Sequence, residues 1–297
     1  MFFYKKVMSL PKLNNDIIYQ ISKYLINQEY KLLDWIDINN INYNSLNLNN
    51  NAISFLKENR NNINWNLLSS NPAAIELLNE NIIDWYWLSA NPKAIELLKE
   101  NKDKIDWCQL SRNPNAIDLL KENYYEGKDN INWDNLSSNP AAIELLRENP
   151  DKINWNWLSE NTAAIELLRE NINKIQWDYL SSNPAAIELL RENPNKIDWH
   201  WLSSNPEAIE LLKKNIDKIE WFQLSKNPNA IELLRENQNK INWFNLSLNP
   251  NAIELLRENR DKINWKQLSK NPSIFELDHN KNKELLDNKV IELSLLL

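Results

Sequence analysis

The chain has 297 residues, 42% hydrophobic and 25% charged, with a formal net charge of −7. That balance suits a folded chain with no overall attraction to nucleic acid or to an anionic membrane. A single glycine and a single cysteine, Cys108, exclude glycine-rich phosphate loops, an internal disulfide and a cysteine-rich zinc site.

In chain order, residues 1–40 read as an N-terminal cap. The apolar run at Met1–Met8 is too short for a signal peptide, and no stretch reaches the length of a membrane span, so an intracellular location is expected. Within residues 9–25, S-L-P-K-L-N-N-D-I-I-Y-Q-I-S-K-Y-L, the aliphatic residues Ile17, Ile18, Ile21 and Leu25 share one helical face. With Leu10 and Pro11 ahead of them, these residues resemble the first helix of an F-box. The resemblance implies docking to a Skp1-type adaptor of a ubiquitin ligase. On composition alone, the same residues are an amphipathic helix covering the first unit of an array.

Residues 41–278 repeat one sentence, clearest as I-N-W-N-W-L-S-E-N-T-A-A-I-E-L-L-R-E-N-I-N-K from Ile153 to Lys174. Its tryptophan recurs at Trp65, Trp85, Trp107, Trp133, Trp155, Trp177, Trp199, Trp221, Trp243 and Trp265, and Tyr43 takes the place in a decayed first unit, making 11 units. A fixed period in this range predicts a solenoid. Each unit reads as two short helices. In the first, Asn154 caps and Trp155 and Leu158 share a face. In the second, Asn139 caps, Pro140 opens the helix, and Ala142, Ile143, Leu145 and Leu146 face the core. Asn149 is expected to close it in the left-handed conformation. A leucine-rich repeat is excluded because polar residues such as Glu160 and Ser182 stand where its strand would need leucine. The expected fold is therefore all-α: an α-solenoid of about 11 helical hairpins, capped at both ends. At roughly 8–10 Å per stacked layer, it is on the order of 100 Å along its curve.

The connector at Asn81–Asp84 lacks two residues, and the one from Asn123 to Asn130 gains four and holds Gly127. Both read as tolerated surface variation, with a bend or an exposed contact point as the alternative. In the last unit Phe275 and Asp278 replace the usual isoleucine and leucine, and residues 279–297 read as a C-terminal cap.

The W-x-x-L-S-x-N-P-x-A-I-x-L-L-x-x-N unit, with its wealth of Asn, Ile and Lys, resembles the short repeat proteins of giant DNA viruses of the mimivirus type. That resemblance implies an intracellular repeat protein, in the host cytoplasm, and carries over no catalytic residue.

No catalytic, metal or cofactor site is expected. His200 and His279 are far apart in sequence, and the serines at Ser137, Ser159, Ser181 and Ser203 recur with the lattice, as a fold requires and a nucleophile does not. Two basic rows, one through Arg147, Arg169, Arg191, Lys213, Arg235 and Arg257 and one through Lys152, Lys174, Lys196, Lys218, Lys240 and Lys262, run beside glutamates. They read as ion-paired faces, with Glu144 to Arg147 an i,i+3 pair, so nucleic acid is not expected as a partner. The residues that follow each tryptophan vary. Trp157, Tyr179 and Trp201 in successive units should stand in a column, and with Trp87, Phe222 and Phe244 they are candidates for contact with a protein partner; alternatively they pack between first helices as a minor core. The reading is a non-enzymatic protein-interaction scaffold, with an F-box-like adaptor and a self-assembling protein as alternatives.

Overall fold

A computed structural model describes residues 14–78 and 82–296; Leu10, Pro11 and Asn81 lie outside them. The chain is an all-α repeat solenoid. In the unit starting at Trp177, a first helix, Trp177–Ser182, leads into a 3-10 turn, Pro184–Ala186. A second helix, Ile187–Glu192, leads into another 3-10 turn, Pro194–Lys196. Neither helix is long enough to be stable alone, so packing holds both. Leu180, Ala186, Leu189 and Leu190 are buried, and their counterparts in the other units join them in one continuous core. Each fully buried leucine contributes about 1.5–3 kcal/mol.

Short helices leave many orphan backbone groups, and the recurring Ser and Asn satisfy them across unit boundaries. Asn183 is 1% exposed. Its Oδ1 accepts from the Ala185 N–H at 3.0 Å. Its Nδ2 donates to the carbonyls of Ser159 (3.0 Å) and Asn161 (3.1 Å) in the preceding unit. Ser181 Oγ donates back to the Trp177 carbonyl and accepts from the Asp198 N–H of the next unit, at 2.7 and 3.0 Å. Both patterns recur along the array. In the first unit Asn47 stands at the serine place and does the same work, donating to the Tyr43 carbonyl and accepting from the Asn64 N–H.

The second helix closes differently from expectation. Asn149 has φ −132 and ψ 61, not the left-handed conformation. Its side chain donates to the Leu145 carbonyl at 2.9 Å, satisfying an orphan acceptor without a positive φ. Asn101, Asn171, Asn193, Asn215, Asn237 and Asn259 repeat this bond. Among the described residues only Gly127 (φ 78) and Asp129 (φ 32) have positive φ, both in the enlarged connector. There the second helix runs on to Tyr125 and Gly127 ends it. The ladder continues past the insertion: Asn139 still donates to the Ser111 and Asn113 carbonyls, each at 3.1 Å.

The terminal segments, expected as two separate caps, meet each other and close the array into a ring. Asn49 of the first unit donates to the carbonyls of Ser269 (3.3 Å) and Asn271 (2.9 Å) in the eleventh. Ser269 Oγ accepts from the Asn42 N–H at 2.9 Å. These are the same bonds that join every other pair of neighbours. The strand Tyr30–Leu32 pairs antiparallel with Phe275–Leu277, Leu32 opposite Phe275 and Tyr30 opposite Leu277. The eleventh unit therefore ends in a strand where a second helix was expected. The Arg260 guanidinium lies 5.4 Å from the ring centre of Trp35, the tryptophan that stands outside the repeat register. Beyond the seam, the helix Asn15–Leu25 packs against the C-terminal helix His279–Leu296.

Closure predicts that Asn49→Ala and Asn183→Ala cost similar amounts, about 2–4 kcal/mol each, since both remove a cap and two buried donations. Urea unfolding measures this; a near-neutral Asn49→Ala beside a costly Asn183→Ala would mean that the ends do not meet. Deleting residues 265–297, which removes Ser269 and Asn271 together with the strand, should open the ring and raise the radius of gyration in small-angle scattering.

Candidate functional site

Closure gives the array an inside. In a ring, neighbouring elements lie closest at the smallest radius. Helix Trp155–Glu160 lies close against Trp177–Ser182, and that helix against Trp199–Leu202, whereas successive second helices meet sparsely. Close packing of this kind runs from Trp65 to Trp107 and from Trp133 to Trp199, and it places those first helices on the inner wall. At roughly 8–10 Å per unit, that wall is about 30 Å across between helix axes.

Helical geometry then divides each first helix. The tryptophan, the leucine three places on and the serine four places on point to the core. The residues one, two and five places after the tryptophan occupy the opposite arc and line the opening. At the seam, these inner places of the eleventh, first and second units (Lys266, Lys270, Asn44, Ser45, Leu48 and Leu67) line a shared cavity of about 260 Å³.

Apart from Ser45 and Leu67 in the first two units, the second place after the tryptophan takes two forms. In four of the five units that hold an amide there, the side chain is buried and ties back to the preceding unit; the fifth, Gln267, is half-buried without such a bond. Gln109 donates to Tyr86 Oη at 2.7 Å, Asn135 to the Cys108 carbonyl at 2.9 Å and Asn245 to the Phe222 carbonyl at 2.8 Å, while Gln223 meets His200 Nε2 at 2.7 Å. Where it holds an aromatic residue, no such bond forms. Trp87, Trp157 and Trp201 stand exposed, and Tyr179 is half-buried.

The expected column is real over part of its length. Trp157 and Tyr179 meet edge to face with ring centres 6.1 Å apart. Trp201, in the next unit, packs edge-on against His200 of its own helix at 5.2 Å. Trp87 pairs with Tyr86 and is separated from the column by two units with amides at that place. Phe222 and Phe244 are exposed at the neighbouring place, one residue after the tryptophan. Aromatic packing between first helices is thus limited, among these side chains, to Trp157 and Tyr179. Glu160 and Asp178 flank the column, and sequence reasoning passed over both; their register, five and one places after a tryptophan, is the signal that finds them.

The basic rows lie outside this wall and are engaged differently from expectation. Arg147, Arg169 and Arg235 bypass the glutamate three residues back and fork onto the next unit's glutamate: Glu170, Glu192 and Glu258, with shorter contacts of 2.6–2.7 Å. Arg191 turns to its own Glu188 because Lys214 fills the partner place. Most of the second row is not paired with carboxylates. Lys104 and five equivalents, Lys152, Lys174, Lys218, Lys240 and Lys262, sit 4.5–4.7 Å from the ring centres of lattice tryptophans.

Of the F-box-like residues within the described chain, Ile18 is buried against the terminal helix pair, while Ile17, Ile21 and Leu25 are exposed. Among the described residues no group of three or more His, Cys, Asp or Glu is placed to hold a metal ion. No described helix is long and apolar enough to cross a membrane. No family model matches the chain, and neither a curated protein nor a solved structure matches it.

The hydrogen bond from Arg169 holds the Glu192 carboxyl below the usual glutamate range, and Arg147 and Arg235 do the same to Glu170 and Glu258. A depressed folded-state pKa gives stability that is present above the unfolded value and lost as pH falls through the folded one. Arg169→Gln should therefore lower the unfolding midpoint slightly at neutral pH, less in about 1 M salt, and not at all once Glu192 is protonated. Unfolding curves at several pH values check this.

Proposed function

We propose that this protein is a non-enzymatic interaction scaffold that holds a protein partner against the inner wall of its ring. One observation carries the reading. The lattice has a good solution at the second place after the tryptophan, a buried amide bonded to the preceding unit, yet units at Trp85, Trp155, Trp177 and Trp199 carry large aromatic residues there instead, three of them exposed and Tyr179 half-buried. Each forgoes a bond contributing about 1 kcal/mol, and aromatic side chains are the usual anchors of a protein interface. The basic rows are already occupied by carboxylates and tryptophan faces, which weighs against nucleic acid. A closed ring has no free stacking end, which weighs against head-to-tail self-assembly. Following the resemblance to giant-virus repeat proteins, the partner would be met in the cytoplasm of an infected cell.

The test compares the full chain with Trp157→Ala/Trp201→Ala as bait in a host-cell lysate, with retained proteins identified by mass spectrometry. The double variant should unfold at nearly the wild-type midpoint. At least one protein should be retained by the wild type and reduced about tenfold or more by the double variant. Equal retention of every protein would mean that the inner wall is not the binding surface.

A second reading is favoured by the exposed Ile17, Ile21 and Leu25 on the terminal helix: an F-box-like adaptor whose helix pair docks a Skp1-type protein while the ring holds the target. Purified Skp1-type adaptor should then bind the full chain and lose binding on Ile17→Asp/Ile21→Asp. No binding to the intact chain would remove this reading.

A further inference from the structure

We propose that the arc of Trp157, Tyr179 and Trp201 binds an extended cationic segment of the partner, with arginine side chains laid against the aromatic faces beside Glu160 and Asp178. This rests on the inner wall being the binding surface, and it names what that surface accepts.

The protein shows how it treats its other tryptophans. Six lattice tryptophans each carry a lysine at 4.5–4.7 Å. Trp157, Tyr179 and Trp201 carry no cation among the described residues, although their faces offer the same attraction. Charge on the wall is divided in the same sense. In the sector from Trp133 to Ser204 the inner places hold Asp134, Glu160 and Asp178 and no lysine or arginine. None of these three carboxylates is in an ion pair among the described residues; Asp134 accepts only the Asn154 amide, at 2.8 Å. The wall's cations, Arg112, Lys226, Lys266 and Lys270, lie in other units, and Lys226 already covers Phe222 at 5.1 Å. A cationic guest thus finds aromatic faces and unpaired carboxylates in one sector.

The geometry selects an extended guest. The arc runs around the wall, so a straight helix threading the ring would cross it and touch one unit. An extended chain can follow the curve. In a polyproline helix every third side chain points the same way, about 9 Å apart, which matches the roughly 8–10 Å between neighbouring first helices.

The experiment titrates the full chain against a fluorescent peptide with arginine at every third place in a proline background, and against its glutamate counterpart, reading anisotropy. The arginine peptide should bind and the glutamate peptide should not. Trp157→Ala/Trp201→Ala should weaken binding about tenfold or more, and Glu160→Gln/Asp178→Asn by roughly three- to tenfold. Glu166→Gln/Glu232→Gln changes the net charge equally but on the outer helices, and should change binding less than about twofold. Equal weakening by the inner and outer charge variants, or no effect of the aromatic pair, would reduce the interaction to overall charge and overturn the proposal. If the arginine peptide fails to bind while lysate proteins still depend on Trp157 and Trp201, the cationic guest is wrong and the scaffold stands. If nothing depends on that pair, both fall.

Discussion

The structure depends on a buried side-chain amide that serves two units at once. Helices mostly of four to six residues leave more backbone groups unpaired than paired, and many of those groups are buried here. The asparagine six places after each lattice aromatic residue answers this with all its hydrogen-bonding capacity: Oδ1 starts its own unit's second half, and Nδ2 finishes the helix behind it. The serine two places earlier runs the complementary errand toward the unit ahead. A leucine core alone would leave the spacing between units soft. The amide sets it, because both donations must reach carbonyls on a neighbouring backbone.

That regularity is what makes closure possible. A stack whose every step has the same turn returns on itself when the sum of turns is a full circle, and Asn49 then finds the carbonyls of Ser269 and Asn271 as naturally as Asn183 finds those of Ser159 and Asn161. The seam is reinforced by what the repeat does not supply: a short strand pair and a cation over Trp35. A ring exposes no open end to other molecules. It also confines the first helices to an inner wall, and this gives meaning to the residues that vary there.

The division of labour among tryptophans follows from the same geometry. Six of those at the lattice place pack against the core and carry a lysine from the end of their own unit over one face, so hydrophobic packing and cation–π attraction hold them together. Those two residues later share neither partner. Conserving the lattice and varying the wall are separable because side chains three and four places after the tryptophan point one way and those one, two and five places after it point the other.

Much of this was legible in the sequence. The period announced a solenoid, proline and asparagine marked the start of each second helix, and the leucine and alanine pattern named the core, because these depend on neighbours within a unit or one unit away. The column of Trp157 and Tyr179 was legible for the same reason. Other features needed the tertiary structure. Asn149 could be read as a left-handed cap because only coordinates show its amide reaching the Leu145 carbonyl. The arginines could be assigned to glutamates three residues back because the next unit's glutamate, 23 residues on, becomes nearer only after stacking. Closure, above all, joins residues more than 200 positions apart. It turns on the sum of small rotations around eleven units, which no local pattern states, and that sum decided that the variable places would look inward on a shared space.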